Sequence, residues 1–181
     1  MNIYADTNIL IAKYVPNDPF HKECEKISKM NNIKKIGSPI TIVELFSTIS
    51  RIYQKLKVQI DNSDILNKAS RNEIITAIVS YILLDWNLAV PFLENENLVL
   101  VLKDFRIVMK KETFLAATLA PFIQLKTLDN MHIATAKRLK EEYIELDYFV
   151  TSDKDILNKR VIIKKYTEIE VVNPAEFIDL L

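Results

Sequence analysis

Apolar positions along this chain fall into short runs separated by longer amphipathic stretches. Residues 2 to 5 (N-I-Y-A) are an apolar run that stops at Asp6, which predicts a buried first strand. Thr7 to Tyr14 reads as a helix, Pro16 and Pro19 break it, and Phe20 to Met30 reads as a second helix. Ile33 to Ile36 reads as a short strand closed by Gly37. Ser38 and Pro39 then supply an N-cap and a first-turn proline, a strong helix start. Ile40, Val43, Phe46, Ile49, Ile52, Tyr53 and Leu56 continue that helix at helical spacing.

Asp61-Asn62-Ser63 predicts a turn, and Asp64 to about Ala89 another helix, striped by Ile75, Ile78, Val79, Ile82 and Trp86. Leu98 to Leu102 (L-V-L-V-L) favours a strand, and Asp104 to Ile123 a mostly helical stretch bent or ended by Pro121. Thr127 caps a helix running to about Glu142, and Asp147 to Thr151 is an apolar strand. Asp153 to Asn158 predicts a helical turn, Val161 to Ile163 and Glu168 to Val172 strands, and Pro174 a last helical turn. Strands alternating with helices imply an α/β fold, a parallel sheet with helices on both faces. The middle, from about 58 to 125, is a helical excursion beside a small sheet. With no repeat and no linker, the expectation is a single domain over residues 1–181.

Composition narrows the chemistry by exclusion. The 24 Lys+Arg balance 24 Asp+Glu, so no overall field drives nucleic-acid binding, although a local basic patch remains open. A single glycine, Gly37, excludes the glycine-rich phosphate loops. One cysteine and two histidines leave no thiolate or His-rich metal site, so any metal would be held by oxygen: Mg²⁺, Mn²⁺ or Ca²⁺. No stretch is apolar enough to span a membrane, and the absence of a signal peptide sets a cytoplasmic expectation.

Four acids stand out by position. Asp6 ends the first strand, Glu44 lies mid-helix beside the apolar stripe, Asp129 opens a helix, and Asp153 follows a strand. Asp6, Asp129 and Asp153 each have a structural explanation as helix caps or first-turn acids. Glu44 has one as a buried ion pair with Arg51 or Arg138, since a carboxylate near a core needs a partner. Together they suit phosphodiester hydrolysis. That reaction needs charge neutralisation on phosphate and a hydroxide source, both of which a divalent ion on hard oxygen ligands provides. Clustered carboxylates would otherwise repel.

D-T-N-I-L-I at the N-terminus resembles the opening of the PIN-domain nucleases, which include the toxin halves of toxin–antitoxin pairs. An S-P-x-x-x-x-E helix, D-x-x-H-x-A-x-A and a strand ending T-x-D-x-D follow in the family's order. The resemblance covers residues 1–56 and 125–175. It implies a three-layer PIN-like fold and Mg²⁺- or Mn²⁺-dependent cleavage of RNA. The implied metal ligands are Asp6, Glu44, Asp129 and Asp153, with Asp155 as a fifth acid, and Asn8 and Thr151 orienting carboxylates or water. It also implies an antitoxin protein as partner, and a homodimer.

His132, three residues after Asp129, reads as a packed or hydrogen-bonded histidine behind the site. Cys24 reads as an inert buried thiol, and Trp86, Tyr81 and Phe92 as core. Arg51 and Lys13 are in reach of the site if their helices point that way. Two other classes compete: a non-catalytic PIN-like module binding RNA or protein, and an Asp-based phosphotransfer protein with Asp6 as acceptor. Asn8, where that last class wants an acid, weakens it.

Overall fold

The computed structural model describes residues 1–56 and 69–181. The turn expected at Asp61-Asn62-Ser63 and the helix start at Asp64 lie outside the described residues. In chain order the elements begin β1 (Asn2–Ala5), α1 (Thr7–Ala12), α2 (His21–Lys29), β2 (Lys34–Ile36) and α3 (Pro39–Ile52). Next come α4 (Arg71–Asp85), β3 (Asn97–Leu102), β4 (Phe105–Lys110), α5 (Lys111–Ile123) and α6 (Thr127–Glu142). The chain closes with β5 (Tyr148–Val150), α7 (Lys154–Asn158), α8 (Arg160–Thr167), β6 (Glu170–Val172) and α9 (Pro174–Asp179).

Four strands form a parallel sheet in the order β2-β1-β5-β6. Its side chains alternate between two cores, as the two-residue period of a strand requires. Ile3, Ala5, Val150 and Val172 face one core with Ile9 and Leu10 of α1, Leu45 and Ile49 of α3, Ile78 and Ile82 of α4, and Phe177 of α9. Tyr4, Phe149 and Val171 face the other with Leu119 and Ile123 of α5, and Ile133 and Leu139 of α6. The result is a three-layer α/β fold with a parallel sheet buried on both faces. Trp86, just past α4, is fully buried and donates its indole N–H to the Leu10 carbonyl at 3.2 Å.

The cap predicted at Ser38 forms: Ser38 and Thr41 make a capping box at α3 with Pro39 at its start. Capping boxes of Ser70 with Glu73 and of Asn173 with Glu176 also open α4 and α9. Thr127 is the first residue of α6 rather than its cap, which is Lys126.

Three expectations fail. The stretch from Asp104 is not helical to Ile123: Phe105 to Lys110 turns back on β3 as an antiparallel hairpin before α5 begins. The middle segment is therefore not purely helical. Its turn, Lys103-Asp104, lacks the glycine that marks most two-residue hairpins, and Lys103 takes a φ of 51°. Val161 to Ile163 is helical, within α8. Ile163 and Thr167, four residues apart, are buried while Val161 faces out, which is a helical and not an alternating pattern. Tyr81 and Phe92 are exposed rather than core, as are Val43 and Phe46 on the α3 stripe.

An ion-pair network joins the middle segment to α6. Arg138, 1% exposed, donates to Glu142 Oε2 at 2.9 Å, to the Glu94 carbonyl at 2.9 Å, and to Glu112. Lys111 bridges Glu96 at 2.7 Å and Glu142 at 2.5 Å. The base of the hairpin is thus fixed from both sides. Removing one member of such a cluster leaves a half-buried charge uncompensated. Arg138→Met should lower the unfolding free energy by about 3 kcal/mol in urea titration, with the parallel sheet retained by circular dichroism. A loss below about 0.5 kcal/mol would mean the network is solvated.

Candidate metal centre

The site lies at the carboxyl end of the parallel sheet, where the strands hand over to helices. Asp6 follows β1 and caps α1. Its Oδ1 accepts the Thr7 N–H at 2.8 Å. Its Oδ2 accepts the Thr151 hydroxyl at 2.6 Å and the Asn8 amide at 2.8 Å. Asn8 also donates to Thr151 Oγ1 at 3.1 Å and accepts the Ser152 N–H at 3.1 Å, so it ties the β1 end to the β5 end. Thr151 Oγ1 accepts the Asp153 N–H at 2.9 Å. Asp153 caps α7 with Oδ1, which accepts the N–H groups of Asp155 and Ile156 at 2.7 and 3.2 Å. The capping roles are therefore real, and they occupy one oxygen of each carboxylate. Asp6 is only 4% exposed, and burial first of all raises its pKa, against the lowering pull of His132 and Thr151.

Glu44 comes from the middle of α3 and meets His132 of α6, whose Nε2 lies 2.9 Å from Glu44 Oε2. The other ring nitrogen, Nδ1, lies 2.8 Å from the Tyr4 hydroxyl, which donates to Ser38 Oγ at 2.7 Å. Tyr4 has one hydroxyl proton. Spent on Ser38, it leaves Nδ1–H to donate to Tyr4 and Nε2–H to donate to Glu44, which makes the ring an imidazolium. Burial opposes that charge, but Tyr4, Glu44 and Asp6 outweigh it and push the His132 pKa up to about 10. Burial likewise opposes the Glu44 anion, but His132 and Thr7, with Arg51 farther off, hold its pKa below the usual value. One ligand atom from each of Asp6, Glu44 and His132 lies within 4.8 Å of the others.

Asp129, in the first turn of α6, lies in the field of these acids. Its pKa is raised to about 6, by burial first and then by the charges of Asp153 and Asp6, with Glu44 adding to them. Its Oδ2 is buried and has no hydrogen-bond partner among the described residues. A buried carboxylate oxygen with no hydrogen-bond partner, in the field of other carboxylates that Lys126 only partly offsets, is costly. The four acids, as hard oxygen donors, fit a hard divalent cation.

A family profile described as PIN domain matches residues 3–162 of the chain. The chain belongs to the PIN domain family. Among solved structures it resembles the 2.2 Å structure of VapBC-1 from nontypeable Haemophilus influenzae, at 14% identity and a TM-score of 0.53. That likeness covers 97% of this chain and 99% of the other. A search of curated proteins returns no match.

Within this PIN domain the structure brings Asp6, Glu44, Asp129 and Asp153 to one end of the sheet, with Asn8 and Thr151 between them. Asp155 stands apart, exposed and paired with Lys126 at 3.0 Å. Arg138 does not reach Glu44, being held in its own network, and Lys13 pairs with Asp85. His132 is the buried, hydrogen-bonded histidine that the sequence suggested, and its Nε2 engages Glu44 directly. Tyr4 and Ser38 escaped the sequence reading, the first as a strand core residue and the second as a cap. Their signal was position: Tyr4 stands two residues before Asp6, and Ser38 six before Glu44.

Two outcomes follow. Asp129 titrates near 6 when folded and near 3.8 when unfolded, so its ionisation opposes folding above about pH 6 and that cost vanishes as pH falls below 4. His132 acts in the same direction over a higher window: its contribution is full below about 6.5 and is lost as pH rises toward 10. The metal-free protein should therefore melt a few degrees higher at pH 5 than at pH 7.5, and Asp129→Asn should shrink that difference. Equal melting temperatures for Asp129→Asn and wild type at pH 7.5 would count against the repulsion. Second, His132→Ala should weaken Mn²⁺ binding roughly 10-fold, as removing a group that orients a ligand does, with His132→Gln in between. Electron paramagnetic resonance of free Mn²⁺ measures it, and unchanged affinity in the alanine variant would contradict the role.

Proposed function

We propose that this PIN domain is a Mg²⁺- or Mn²⁺-dependent endoribonuclease whose metal is held by Asp6, Glu44, Asp129 and Asp153. The observation that carries the reading is Asp129 Oδ2, buried and without a hydrogen-bond partner among the described residues, in a carboxylate whose pKa is raised by burial and then by the neighbouring acids. A non-catalytic module gains nothing from that cost, whereas a metal-dependent hydrolase requires the cluster. A divalent cation bound there would offset charge on a scissile phosphate and lower the pKa of water.

The chain's own residues divide the remaining work. Thr151 and Asn8 fix the Asp6 carboxylate through three hydrogen bonds that join two strand ends. His132 fixes Glu44 by engaging its Oε2. Asp153 keeps one oxygen in its helix cap and offers the second. Asp155, neutralised by Lys126 at the rim, is not among the ligands we assign. Asp6 is only 4% exposed, which disfavours it as a phosphoacceptor.

The family resemblance and the likeness to VapBC-1 support reading the chain as the toxin of a toxin–antitoxin pair, acting on RNA in the cytoplasm with an antitoxin protein as its partner. No helix among the described residues is long and apolar enough to cross a membrane.

The test is cleavage of a panel of single-stranded and hairpin RNAs with Mn²⁺, Mg²⁺ or EDTA. Wild type should cut only with metal, and Asp6→Asn and Asp129→Asn should each lose at least about 100-fold in rate, on the order of 3 kcal/mol in the barrier. Equal cutting by wild type and both variants would overturn the assignment.

A further inference from the structure

A cavity of about 500 Å³ opens beside the acid cluster, in the size range of sites that take small organic groups. Pro39 and Ile40 of α3, Leu93, and Met131 of α6 give it apolar walls. Phe92 also lines it, with 87% of its surface exposed. Helical spacing fixes its position. Ile40 lies one turn before Glu44 on α3, and Met131 directly precedes His132 on α6. Glu44 and His132 meet at 2.9 Å, so the Ile40 wall stands one turn, about 5.4 Å, along α3 from that pair. Two charged residues line the cavity, Lys110 and Glu112. Arg138 neutralises Glu112. Lys110 donates to the neutral side-chain oxygen of Asn95 and, among the described residues, forms no ion pair.

We infer that this cavity holds one base of the RNA strand next to the cleaved bond. The inference rests on reading the acid cluster as a ribonuclease centre. A base hangs from its phosphate on the scale of that one helical turn, so a strand with a phosphate at Glu44 can set a neighbouring base between α3 and α6. The apolar walls and the exposed Phe92 ring suit the flat face of a base, which every base has. Lys110 suits the phosphate that comes with it. That charge complementarity favours a nucleotide over an apolar side chain of a protein partner, which would leave the ammonium unanswered. The walls offer few hydrogen-bonding groups. Thr113 and Thr135 supply hydroxyls, and that of Thr135 already donates to the Met131 carbonyl. The base is therefore held by stacking and fit, with little readout of its edge.

Two arms test it. In EDTA, adenosine monophosphate titrated into the isotope-labelled full chain should move the amide resonances of Ile40, Phe92, Lys110 and Met131. Phe92→Ala should weaken that binding about 10-fold, as loss of a stacking ring does. Thr113→Trp, which sets an indole into the cavity from an exposed position, should abolish it. With Mn²⁺ and RNA, both variants should raise KM about 10-fold and hold kcat within about two-fold, the signature of lost binding. RNA made abasic beside the cut should give wild type and Phe92→Ala the same KM. Equal KM for wild type and both variants on intact RNA, or no shift at those amides, would overturn the inference and leave the ribonuclease reading standing. A protein partner released by Thr113→Trp while KM stays unchanged would overturn it too. A wild type that cuts no RNA overturns the ribonuclease reading instead, and the nucleotide arm alone then supports or overturns base binding.

Discussion

Carboxylates gathered at the carboxyl end of a parallel sheet repel one another, and this repulsion is the constraint that the rest of the site answers. Asp6 is buried, Asp129 has its pKa lifted by burial and then by Asp153, Asp6 and Glu44, and one Asp129 oxygen has no partner among the described residues. The fold tolerates the arrangement because it surrounds the acids with fixed donors. Thr151, Asn8 and the Thr7 N–H serve Asp6, the first turn of α7 serves Asp153, and His132 serves Glu44. Each donor supplies partial or full positive charge, and together they leave a negative remainder.

The donors stay in place because the sheet holds them. β1 and β5 are adjacent and parallel, so Asp6 and Thr151 emerge side by side. Alternation along β1 sends Ile3 and Ala5 to one core and Tyr4 to the other, where its ring stacks on Phe149 at 4.9 Å. From there its hydroxyl joins Ser38 at the start of α3 to His132 on α6. A cap, a strand residue and a helix residue thereby share one hydrogen-bond chain that ends on Glu44. Tyr4 is thus both a core residue and part of the site, and no pattern of hydrophobicity separates the two roles.

Much of the fold was legible in the sequence where local physics decides it. The Ser38–Pro39 start, the run ending at Asp6 and the apolar strand before Thr151 all reappear as elements. The hairpin was not, because its turn is Lys103-Asp104 in a chain with a single glycine, and because Phe105 to Met109 is as compatible with a helix as with a strand. Val161 to Ile163 misled for the opposite reason: β-branched residues suggest a strand, but packing through Ile163 and Thr167 overrides propensity. At the site, the acids were visible by their places at strand and helix ends. The engagement of His132 with Glu44 was not, since it depends on two helices 88 residues apart meeting over the sheet end.

The central claim is that this acid cluster is built around a divalent cation. Calorimetric titration with Mn²⁺ at pH 5, 6 and 7.5, in two buffers of different ionisation enthalpy, tests it most directly, because it measures affinity and proton release together. The account predicts binding at pH 7.5 that weakens toward pH 5, with protons released near pH 6 as Asp129 gives up its own. No Mn²⁺ uptake at pH 7.5, or uptake that neither depends on pH nor releases protons, would contradict it.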